Sequence, residues 1–156
     1  MKQTVQMDRI QEKMQPGVFT RDGFMGTDRR KLIDILIEDD EAVKRMDLTH
    51  QRIAERMIEL RDAGMRGLGE FIDIQPHYEV RVGSVRGKLP CPFGDPGIFP
   101  KTNVTVRNTK LGREVTFTDM HIHLVGSHGF YEGKGSPFRL EPAYLAETLD
   151  IQPVQE

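Results

Sequence analysis

His121 and His123, with one residue between them and His128 five positions beyond the second, are the side chains of this chain best suited to hold a metal ion. On a β-strand, residues i and i+2 point the same way about 6–7 Å apart, so two imidazoles can converge on one ion. The four residues between His123 and His128 also match the spacing that zinc sites use for their second ligand pair. Cys91, set among prolines, offers a thiolate, and Glu132, Asp119 and His77 are oxygen or nitrogen alternatives. Three such ligands with an open fourth position suit a hydrolytic zinc ion, which lowers the pKa of bound water to about 7. The expected metal set is therefore His121, His123, His128 and Cys91, with zinc or another divalent transition metal as cofactor. Without a metal, Cys91 and a histidine form a nucleophile and base that Asp95 or Asp119 would orient.

A second constellation is basic. The segment from Gly129 to Ser136 is glycine-rich and carries Lys134, but no Ser or Thr follows that lysine directly, which disfavours a Walker-type loop. What remains is an anion site in which Lys134 and Arg139 are joined by Arg81 and Arg107 from the polar face of a sheet. Three classes of function compete: a metal protein, a binding module for a small-molecule or anionic ligand or nucleic acid, and a structural or oligomeric protein. Nucleic acid is disfavoured, because residues 76–139 hold nine basic against five acidic groups and the aromatics are not interleaved on strands.

The elements that position these groups follow from periodicity. The chain has 156 residues, 37% hydrophobic and 29% charged, enough for one domain with its own core. Its net charge of −2 conceals a basic, histidine-containing middle between acidic flanks. A single cysteine excludes an internal disulfide and suits a reducing compartment, so a cytoplasmic location is expected. No apolar run of signal-peptide or membrane-spanning length is present, so no membrane association is expected.

Residues 1–26 read as an N-terminal extension, with an amphipathic helix carrying Met7, Ile10 and Met14 and stopped at Pro16-Gly17. Exposure of its methionines would favour a homo-oligomer. Residues 27–150 read as one α+β domain. Its helical layer spans 27–66, with Thr27 or Asp28 capping a first helix, a break near Asp39, and Thr49 opening a helix lined by Ile53, Met57 and Leu60. From residue 77 to 125 the period falls to two, as in an antiparallel sheet apolar on one face. Asn108 to Gly112 forms a hairpin loop, and a bulge at Thr118-Asp119 would keep Thr116, His121 and His123 on the polar face. Lys88 to Lys101, with four prolines, reads as an ordered flap. Residues 126–150 hold the glycine-rich loop and a short C-terminal helix opened by Pro142, and 151–156 form a loose tail.

Overall fold

Alternation of apolar and polar residues builds the sheet that carries everything else. In the computed structural model, which describes residues 2–153, four strands, β1 (Ile72–Ile74), β2 (Tyr78–Gly83), β5 (Asn103–Asn108) and β6 (Arg113–Thr118), pair antiparallel in the order β1-β2-β5-β6. The register sets Val80, Val106 and Val115 side by side, and Val82, Val104 and Phe117 beside them. All but the half-buried Val82 are buried, and together they form one apolar face. The opposite face carries Glu79, Arg107 and Glu114 in register. The β5–β6 hairpin closes through Gly112, at φ 65°, where Asn108 side-chain and backbone oxygens accept from the loop N–H groups.

Helices α1 (Val5–Lys13), α2 (Leu32–Arg45) and α3 (His50–Gly64) precede the sheet, and α5 (Pro142–Thr148) follows it. Thr49 caps α3 by accepting from the Arg52 N–H, and Ile53, Ala54, Met57 and Leu60 turn one buried stripe onto the valines of the sheet. Pro142 stands in the first turn of α5, where a missing N–H costs nothing. Fold class and element order are thus α+β: N-terminal helices, an antiparallel sheet and a short C-terminal helix.

Four local expectations are corrected. The first helix of the layer starts at Leu32, after Lys31, and not at Thr27-Asp28; Asp28 instead accepts from the Arg30 N–H and pairs with its guanidinium. That helix runs through Asp39 without a break, because Asp39 is buried against the Arg139 guanidinium rather than capping a new start. Ile151 is not part of a loose tail: its side chain is buried and its N–H donates to the Ala146 carbonyl, while residues 154–156 lie outside the described residues.

The fourth correction moves the histidines. Residues 119–128 are not a bulged strand but a helix, α4 (Asp119–His128), with Thr118 as N-cap and Gly129 at φ 62° as the C-terminal stop. It lies between two cores. Ile122 and Val125 join the core of sheet, α3 and α5, whereas Met120 and Leu124 join a second one with Met14, Phe24, Met25, Leu32, Ile35, Cys91 and Phe130. Gly126 admits close approach to α3: a Cβ there would stand 2.9 Å from that of Ala54. The flap contains a small hairpin, β3 (Lys88–Pro90) paired with β4 (Ile98–Pro100), and its tip reaches α4. Among the described residues no helix is long and apolar enough to cross a membrane.

Candidate metal centre

Turning the histidine segment into a helix separates the pair that a strand would have joined. Side chains two apart on a helix point about 200° away from each other, so His121 and His123 serve different neighbourhoods.

His121 is a cap. The Thr118 N–H donates to its Nδ1 at 3.0 Å, while its own N–H donates to Thr118 Oγ at 3.3 Å. With Nδ1 an acceptor, the ring carries its hydrogen on Nε2, which lies 2.5 Å from Glu132 Oε2 and 3.1 Å from the Phe138 carbonyl. Thr118 Oγ, 3.0 Å from Nδ1, has the connectivity of a hydroxyl–imidazole–carboxylate relay, but the backbone N–H already occupies the lone pair that a base would need.

His123 and His128 face the flap. Cys91 Sγ, one oxygen of Asp95 and one ring nitrogen each of His123 and His128 all lie within 4.8 Å of one another. His128 Nε2 is 3.7 Å from Cys91 Sγ and 2.7 Å from Asp95 Oδ2, and His123 Nε2 approaches the same carboxylate oxygen at 2.9 Å. The second approach lacks hydrogen-bond geometry, so His123 Nε2 is buried with no hydrogen-bond partner. Aromatic rings fix both imidazoles: Phe93 stacks on His128 at 4.0 Å and Phe99 on His123 at 4.3 Å. A turn closed by Gly94 N–H on the Cys91 carbonyl, with Gly94 at φ 93°, aims Cys91 and Asp95 together. The hydrogen bond from His128, with the nearby His123, holds the Asp95 carboxyl below the usual range, so Asp95 is a ready anionic ligand.

The donor chemistry fits a zinc-type ion. Tetrahedral coordination with bonds of 2.0–2.3 Å spaces its donors by roughly 3.3–3.8 Å. The sulfur–nitrogen distance of 3.7 Å already matches, and the Asp95 contacts, at 2.7 and 2.9 Å, need to open by only about half an ångström. A cysteine–histidine nucleophile pair fits less well. Asp95 contacts the same Nε2 that faces Cys91, so one nitrogen would have to be both the base and the oriented N–H.

Of the expected metal set, His123, His128 and Cys91 therefore come together and His121 does not; Asp95, expected only as an orienting group, is the fourth member. Among the alternatives, Glu132 pairs with His121, Asp119 with Arg61 at 2.9 Å, and His77 with Asp150 at 2.7 Å. The basic residues do not gather into one site. Arg81 and Arg107 close on the Phe71 ring, and Arg107 also pairs with Glu114. Lys134 binds Glu38 at 2.9 Å, and Arg139 is buried against Asp39 and Glu141. Burial alone would lower the Arg139 pKa, but these two carboxylates more than offset it and the guanidinium is held charged. Comparison of the chain with family models, curated proteins and solved structures finds no match.

Proposed function

We propose that this protein binds one divalent transition metal ion of the zinc type through Cys91, Asp95, His123 and His128, and that the ion clamps the flap to α4. The observation that carries the reading is the convergence of four donors from two segments within 4.8 Å, one of them a buried imidazole nitrogen with no hydrogen-bond partner. Leaving a buried polar atom unpaired costs about 1–3 kcal/mol, a cost that a bound ion removes. Four protein donors complete a tetrahedral shell, so the site is structural rather than hydrolytic. A thiolate ligand suits a reducing, cytoplasmic setting. Every donor comes from a single chain, so the site requires no self-association.

Cobalt(II) titration of the purified chain tests this. One equivalent should bind with the visible spectrum of a tetrahedral thiolate site. Cys91→Ser should remove the sulfur-to-cobalt charge-transfer band, and His128→Ala should weaken binding at least about hundredfold. His121→Ala should keep the stoichiometry. Absence of a stoichiometric ion, or equal damage from His121→Ala in a folded protein, would overturn the proposal.

A further inference from the structure

A cavity of about 370 Å³ opens between residues 20–24, the flap and the start of α4, at the lower end of the range for small-molecule sites. Its apolar lining comes from Phe24, Val85, Leu89, Phe99, Met120 and Phe138. One group in it is unusual. Glu132 also lines the cavity, is 4% exposed, and sits at φ 70°, a left-handed conformation that costs a non-glycine residue about 1 kcal/mol or more. Its carboxylate has no Lys or Arg within ion-pair reach among the described residues; it is met by His121 Nε2 and, at 2.9 Å, by the Ser136 hydroxyl. With His121 Nδ1 accepting from the Thr118 N–H, no permanent cation meets the Glu132 carboxylate at this apolar cavity wall. A buried carboxylate is expensive unless a cation or several donors meet it. Of the charged groups nearer solvent around the same cavity, Arg21 and Lys101 are offset in part by Asp22.

We infer that this cavity is a binding site for a small molecule with an apolar, ring-sized body and a protonated amine, the amine taken by Glu132. The apolar wall accepts the body, and the carboxylate retains free lone pairs for a charge-assisted hydrogen bond. The site uses none of the four metal donors, so it stands or falls apart from the metal proposal.

The full chain, with no metal added, is titrated with 2-phenylethylamine while the methyl signals of Met120 and Leu89 are followed by NMR. Ethylbenzene, which lacks the head group, and 3-phenylpropionate, which carries an anionic one, are titrated in parallel. Saturable shifts at both methyls are expected for the amine, with at least tenfold weaker binding of the other two. Glu132→Gln should abolish that preference. Leu89→Trp, on the half-buried flap, should fill the cavity and abolish the shifts, and it keeps the test alive if the glutamine variant does not fold. No saturable shift, a preference for the propionate, or a preference unchanged in folded Glu132→Gln would overturn the inference.

Discussion

The two ends of α4 hold histidines in opposite circumstances. At its start, His121 is 5% exposed and both ring nitrogens are engaged: Nδ1 accepts from the Thr118 N–H, and Nε2 donates to the Phe138 carbonyl with Glu132 close beside it. Towards its end, His123 and His128 stack on phenylalanines of the flap and direct nitrogen at one half-buried carboxylate and a thiol, with His123 Nε2 unpaired. A histidine whose hydrogen bonds are all made stabilises the fold; under the metal proposal, a cluster with nitrogen to spare is where an ion would bind. Burial alone does not distinguish the two, because all three rings are largely shielded.

The sharpest break of this comparison is His121→Ala. It removes the side-chain half of the capping box, leaving Thr118 as N-cap, and strips the buried Glu132 of its imidazole neighbour, so it should lower unfolding free energy by about 3 kcal/mol in urea titration. Metal stoichiometry should not change, and a loss of binding by the folded variant would erase the distinction between the ends. Gly126→Ala strikes between them, where a new Cβ would meet Ala54 of α3 at 2.9 Å. Overpacking of this kind should cost about 2 kcal/mol, and adding Ala54→Gly should return part of it in a double-mutant cycle. The smallest effect is expected of His128→Ala in metal-free protein, about 1 kcal/mol for the lost ring stacking. Adding zinc should widen that gap, since an ion that binds only the native parent stabilises it by mass action. The sign with pH follows from Asp95. Its folded pKa is depressed, so its contribution is present above the unfolded value and is lost as pH falls through the folded one.

Legibility differed between regions for a physical reason. Strands β2, β5 and β6 set apolar residues on the core face and polar ones on the other, so their period of two is written plainly, as is the stripe on α3 below its Thr49 cap. Helix α4 has cores on both sides, and Met120, His121, Ile122, Leu124 and Val125 are all buried. A helix apolar nearly all round shows no 3.6-residue rhythm, and Met120, Ile122 and Leu124 then imitate alternation. The bracketing signals were present: Thr118 followed by Asp119 as a helix start and Gly129 as its stop. Asp39 misled for the opposite reason, since its partner Arg139 is 100 residues away and no local pattern reveals it.

By itself the sequence determined the α+β class, the strand faces and the hairpin at Asn108 to Gly112, and it named Cys91, His123 and His128 as candidates without placing them together. Those features depend on residue type and on neighbours a few positions away. Only tertiary structure decided that His121 leaves the set and Asp95 enters it. Membership turns on which face of α4 meets the flap, and packing between two cores settles that orientation.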